Sequence, residues 1–190
     1  MSMYLSLSQL EEKTPEANIK TPENETHRYF YEGKKASVFL SHKHSEVAQL
    51  KRVACLLEQL CSWVYVDWLD PTMPQKTCGK TAENIKKKII QYDKFILVAT
   101  ENAISSKWCN WELGYGDAQK YNSEKIALFP IRNNGMDWSG SEYLEIYPVI
   151  GYVEQRQNVP DFGNLLPGYY VFYYYGEKKA IRLTTWLSKE

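Results

Sequence analysis

Phe95-Ile96-Leu97-Val98-Ala99, followed by Ser105-Ser106-Lys107-Trp108-Cys109-Asn110-Trp111-Glu112-Leu113, is the stretch around which this chain is organised. The first part is a short, continuously apolar run, as expected of a strand buried on both faces. The second opens a helical pattern that continues to about Tyr121. Ser105 or Ser106 is placed to cap it by accepting a first-turn N–H. Trp108 and Glu112 are four residues apart, so a helix sets them on one face. A ligand of an open parallel sheet binds just beyond the carboxyl ends of its strands. A carboxylate one turn into a helix that follows such a strand is therefore placed to face a ligand.

Similar units lie on either side. Ala36-Ser37-Val38-Phe39-Leu40 reads as a strand, ending in the polar loop Ser41-His42-Lys43-His44-Ser45. Val47, Leu50, Val53, Ala54, Leu57 and Leu60 then recur at helical spacing, predicting an amphipathic helix from Glu46 to Cys61. Val64-Tyr65-Val66-Asp67 reads as a second strand, and Trp68 to Gly79 as a loop broken by Pro71 and Pro74. Thr81 is expected to cap a third element, a helix with Ala82, Ile85, Ile89 and Tyr92 inward and Lys86, Lys87 and Lys88 solvated. Lys94 to Thr100, Lys125 to Ile131 and Ile146 to Val153 complete five strands. The alternation predicts an α/β fold with a parallel sheet covered on both faces and right-handed crossovers. The aromatic run Tyr169 to Tyr175 and the segment Ala180 to Leu183 predict a C-terminal β-hairpin, with Trp186 and Leu187 of a last short helix docking inward.

Composition narrows the function classes. In 190 residues, 23 basic and 23 acidic side chains give a formal net charge of zero. That balance argues against nucleic acid or an acidic membrane as the main partner. No apolar run approaches the roughly 18 residues a membrane span requires. No signal-peptide pattern opens the chain, so a cytoplasmic protein is expected. Cys55, Cys61, Cys78 and Cys109 have neither CxxC spacing nor paired His ligands, so free thiols and no metal site are expected. Residues 1–34 are expected to form an N-terminal arm, mobile or strapped onto the domain, with a short helix or strand from Tyr4 to Leu10. Residues 35–190 form the domain with its C-terminal extension.

Gly79-Lys80-Thr81 before a helix suggests a phosphate loop, but the required earlier glycine position holds Pro74, which excludes triphosphate binding there. Thr81 is then a cap and Lys80 a solvated charge. His42 and His44 lie two apart on a loop with no third ligand nearby, which favours a hydrogen-bonding role over a metal. Asp67 and Trp68 end the second strand, either capping the next loop or lining the crevice. Trp111 is expected to pack into the core. Glu112 lies between bulky apolar neighbours, so its carboxylate needs a partner or a purpose.

Four of these stretches in this order, Val38 to His42, Val64 to Asp67, Thr81 to Ile85 and Ser105 to Leu113, resemble the TIR domain, specifically the stand-alone bacterial kind found in anti-phage defence. The resemblance covers about residues 35–155. It implies a flavodoxin-like three-layer fold with a five-stranded parallel sheet. Catalytic members carry Trp-x-x-x-Glu, matched by Trp108 and Glu112. The resemblance therefore implies that Glu112 is the catalytic residue in cleaving the nicotinamide–ribose bond of NAD, which is substrate and not cofactor. Ser41 and His42 match the loop lining the substrate cleft, and Asp67 and Trp68 lead into the loop that gates it. Ser106 and Trp108 complete the implied substrate-binding set. The product would be nicotinamide and an ADP-ribose, linear, cyclised or base-exchanged. In Thoeris-type defence, proteins similar to this one signal in that way to a separate effector. Self-association through TIR surfaces is also implied. The alternatives are a non-catalytic TIR scaffold and a nucleoside deoxyribosyltransferase-like enzyme.

Overall fold

A computed structural model describes residues 3–15, 36–60, 62–66, 74, 78–133 and 138–188. Asp67 and Trp68, most of the loop from Trp68 to Gly79, Cys61, and Asn134 and Gly135 lie outside the described residues, as does most of the arm between residue 16 and residue 35. The elements are β1 (Leu5–Ser6), α1 (Leu7–Lys13), β2 (Ser37–Ser41), α2 (Val47–Gln59), β3 (Trp63–Tyr65), α3 (Gly79–Gln91), β4 (Lys94–Ala99), α4 (Glu101–Ile104), α5 (Lys107–Lys120), β5 (Ile126–Arg132), β6 (Val149–Val153), β7 (Gln157–Val159), β8 (Gly163–Leu165), β9 (Gly168–Tyr173), β10 (Lys179–Arg182) and α6 (Leu183–Trp186).

The apolar runs form the centre of the sheet. Its order is β10-β9-β6-β5-β4-β2-β3. From β3 to β6 all pairings are parallel, giving the expected five-stranded flavodoxin-like core. Strand alternation divides that core in two. Val38, Leu40, Ile96 and Val98 face Leu50, Val53 and Leu57 of α2. Phe39, Phe95 and Leu97 face Ile85 and Ile89 of α3 and Leu113 of α5. The period of two therefore also directs Ser41, two residues after Phe39, toward the α5 layer.

The predicted hairpin forms and joins the same sheet. β9 pairs antiparallel with β6, and β10 antiparallel with β9. Its turn holds Gly176 at φ +71, left-handed backbone that glycine adopts without steric cost. Trp186 and Leu187 are buried, and the Trp186 indole Nε1 donates to the Glu124 carbonyl at 2.9 Å. At the other end of the chain, β1 runs parallel along the last residues of β5, with Leu5 opposite Ile131. The Met3 carbonyl accepts from the Tyr152 N–H of β6 at 2.8 Å, which sets this strand between β5 and β6. Leu10 of α1 is fully buried against the α2 layer.

Local expectations need correcting at two points, the cap of α3 and the start of the fifth strand. Thr81 does not cap α3. Cys78 is the N-cap, and the Thr81 hydroxyl, at the third helical position, accepts the Cys78 N–H at 3.1 Å. Lys80 and Lys87 are exposed, as expected, and pair with Glu83 on the surface at 3.0 and 2.6 Å. Lys86 and Lys88 lie over the rings of Tyr115 and Tyr65, each at 4.9 Å, so their ammonium groups find aromatic faces. The fifth parallel strand begins at Val149, and Ile146 ends a 3₁₀ turn, Glu142–Ile146. Pro148 has no N–H to give a ladder, which accounts for the late start.

Candidate active site

The carboxyl ends of β2 and β4 meet the start of α5, and the candidate residues gather there. On α5, Cys109, Glu112, Leu113 and Gly116 are buried, a stripe at helical spacing that faces the sheet. Gly116 allows close approach, since a Cβ there would stand 2.9 Å from the Phe95 ring. One turn earlier, Glu112 is only 5 % exposed. Burying a carboxylate is costly unless it is hydrogen-bonded. The Ser41 hydroxyl, also buried, donates to Glu112 Oε2 at 2.5 Å.

A second bond joins the same two elements. The Cys109 thiol donates to the His42 carbonyl at 3.3 Å. The buried His42 ring sets Nδ1 3.2 Å from the Leu40 carbonyl, and this requires the proton on Nδ1. Its ring centroid lies 5.2 Å from that of His44. Burial, with the negative charges of Glu112 and Glu46 adding to it, pushes the Cys109 thiol up to about 11, against the lowering effects of a Ser106 hydrogen bond and the Lys43 charge. Cys109 is therefore protonated at neutral pH and serves as a donor, not a nucleophile.

Ser106 occupies the N-cap position of α5, but its hydroxyl accepts no helix N–H. It lies against the Cys109 thiol instead, which corrects the expected cap bond. Trp108 is not a buried plate beside the carboxylate. At 38 % exposed it sits on the rim, its ring edge-on to Trp111 at 5.3 Å. Four helical residues rotate about 40° past a full turn, enough to separate a rim position from a buried one. Trp111 is partly buried against the α5 side of the core and stacks with Tyr115. Ser41, His42, Ser106 and Glu112 are thus brought together with Trp108 at the edge. Asp67 and Trp68 lie outside the described residues.

The structure adds a group that sequence reasoning missed. Glu46 accepts from Thr100 Oγ1 at 2.5 Å and from Asn102 Nδ2 at 2.8 Å. Thr100 also caps α4, accepting the Ala103 N–H at 3.1 Å. A threonine closing an apolar run and followed by a helical turn is a legible cap signal, but its partner is 54 residues away. Among the described residues, no three His, Cys, Asp or Glu side chains are grouped to hold a metal. Cys55, Cys78 and Cys109 are thiols outside any disulfide.

The comparisons with known proteins agree with this architecture. A protein of Bacillus cereus strain MSX-D12, provisionally named 3' cyclic ADP-D-ribose synthase ThsB', is 32% identical over 117 residues, 60% of this chain and 59% of that protein. A protein of Cytobacillus dafuensis, provisionally named cyclic ADP-D-ribose synthase TIR2, is 28% identical over 81 residues, 41% of this chain and 21% of that protein. The match thus spans less than two thirds of either relative. The profile of the TIR domain family matches residues 38–164, more than half of the chain, and includes the strand end, the capped turn and the helix that build the site. With the five-stranded parallel core in place around that site, the chain belongs to the TIR domain family.

Proposed function

We propose that this chain cleaves the nicotinamide–ribose bond of NAD and closes the remaining ADP-ribose into a cyclic signal, with Glu112 as the catalytic carboxylate. The observation that carries this reading is the buried Glu112 carboxylate, held by Ser41 at the carboxyl end of a central parallel strand. The names of the two relatives point to the same product class.

The chemistry suits this equipment. Nicotinamide in NAD is a pyridinium, so the C1'–N bond breaks with its electron pair moving onto the ring nitrogen, and the ring leaves neutral. No strong general acid and no further cofactor is needed. The ribose passes through an oxocarbenium-like state, as in other glycosyl transfers. A carboxylate fixed beforehand by Ser41 orients the ribose hydroxyls and stabilises the positive charge as it grows. The Trp108 indole on the rim offers a face for an aromatic ring of the substrate. Capture by water gives linear ADP-ribose with loss of a proton. Capture by a nucleophile within the same molecule gives the cyclic product, which limited access of water favours.

On this reading NAD is the substrate partner, copies of the chain associate through TIR surfaces, and the released nucleotide carries the signal to a separate effector in anti-phage defence. The cytoplasm is the expected compartment. Among the described residues, no helix is long and apolar enough to cross a membrane.

The test is incubation with NAD, followed by chromatography and mass spectrometry of nicotinamide and the ADP-ribose products. Glu112→Ala should lower turnover by at least about 100-fold. Undiminished turnover by that variant removes the role assigned here. Phage protection retained by Glu112→Gln would favour the scaffold reading.

A further inference from the structure

Away from Glu112, a half-open cavity of about 280 Å³ is walled by Tyr4, Trp138, Tyr147, Tyr174 and Tyr175. Glu112, Ser41 and His42 take no part in its lining. We propose that this cavity is a binding site for a flat nitrogen-containing aromatic base that carries no phosphate.

Three observations specify that ligand. The volume lies at the lower end of small-molecule sites, so it suits one flat ring system and not a dinucleotide. The walls are aromatic, and aromatic side chains bind flat bases by stacking, whatever the base. These rings are already supported by neighbours: Tyr4 meets Trp138 edge-on at 5.6 Å, and Tyr174 meets Phe162 edge-on at 5.1 Å. The cavity is therefore built before a ligand arrives, which lowers the ordering cost of binding.

Among the described residues, the buried Trp138 indole N–H has no acceptor. That nitrogen is closed off from the cavity, so Trp138 lines it with ring carbons and offers a stacking or edge contact to a ligand. Gly140 holds Trp138 in place. Its φ is +62, and a Cβ there would stand 2.8 Å from Trp138 Cη2. Finally, Glu145 lines the cavity, with Ser139 and Ser141 beside it. Its carboxylate accepts amino hydrogens of a base and repels a phosphate.

The cavity has a path to the active-site helix. Its wall includes Leu144 and Glu145 of the 3₁₀ turn Glu142–Ile146. Tyr143 of the same turn donates to Asn110 Oδ1 at 2.6 Å, and Asn110 Nδ2 donates to the Ile104 carbonyl at 2.7 Å, bracing the first turn of α5.

The test uses ¹⁵N-labelled full-length Glu112→Gln protein, so that binding is read whether or not the chain turns over NAD. Adenine, nicotinamide and AMP are titrated separately, following the Trp138 indole N–H resonance, which is assigned with Trp138→Phe. A saturable ring-current shift with either free base supports the site, and the base that gives it identifies the source. AMP should bind at least roughly tenfold more weakly than adenine. Tyr175→Ala, at an exposed position, should weaken binding by roughly tenfold. Ser139→Trp, which fills the cavity from an exposed position, should abolish the shift while its other resonances overlay. A Trp138 indole unmoved by both bases at low-millimolar concentration overturns the proposal. So does a shift that survives Ser139→Trp, or AMP binding as tightly as adenine.

Discussion

Ser41→Ala should expose how strongly the buried carboxylate depends on the strand end. Ser41 and Glu112 are 1 % and 5 % exposed, so water does not substitute freely for the lost hydroxyl. The space left is smaller than the roughly 30 Å³ share of a water molecule. A hydrogen bond to a charged group is worth about 1.5–3 kcal/mol. At about 2–4 °C per kcal/mol for a chain of this length, the melting temperature should fall by about 3–12 °C. The assay is urea unfolding at pH 7 by tryptophan fluorescence, on wild type, Ser41→Ala, Glu112→Gln and the double variant. Gln at 112 retains an acceptor and removes the buried charge, so it should be close to neutral or stabilising. In that background Ser41→Ala loses only a neutral hydrogen bond, about 0.5–1.5 kcal/mol. The cycle should therefore show a coupling of about 1–2 kcal/mol at constant m-value. Single effects that add to within about 0.5 kcal/mol would refute the claim that Ser41 sustains the Glu112 charge.

Three other outcomes follow from the same contacts. Leu10→Ala should cost about 2–5 kcal/mol in urea unfolding, because Leu10 is fully buried against the α2 layer and the residue belongs to the fold, not to a loose arm. Trp108→Ala, at a 38 % exposed position, should shift stability by no more than about 0.5 kcal/mol while lowering kcat/KM for NAD, and a large stability loss with unchanged kinetics would contradict a rim role. Cys109 binds its proton more tightly folded, near 11, than at its ordinary value of 9. Its contribution is thus fully present below pH 9 and is lost as pH rises toward 11. The cost of Cys109→Ala, measured under reducing conditions, should shrink between pH 9 and pH 10 by up to about 1.4 kcal/mol.

The parallel core was legible because strands buried on both faces must be continuously apolar, as Phe95 to Ala99 and Ile126 to Phe129 are. The hairpin was legible from its aromatic run and its turn. Its place was not, since period-two alternation identifies a strand without naming its neighbour, and β9 completes the sheet against β6. The short helix α4 before Ser105 was also hidden. Ser105 returns its hydroxyl to the Glu101 carbonyl and Thr100 caps the short turn, local choices that an apolar period does not reveal.

The burial of Glu112 shows where sequence reasoning was right for an incomplete reason. Its bulky neighbours Trp111 and Leu113 are each rotated about 100° away on a helix, so they do not by themselves bury it. What buries it is the stripe of Cys109, Leu113 and Gly116 laid against the sheet. Gly116 has no room for a Cβ against Phe95, so α5 lies as close to β4 as backbone contact permits. That approach brings Glu112, one turn earlier, within reach of a hydroxyl that the pleat of β2 has turned to the same side. The distance from carboxylate to serine is therefore set by a glycine and a phenylalanine that meet no substrate, and any side chain at 116 that lifts the helix should loosen the Ser41–Glu112 bond before it unfolds the sheet.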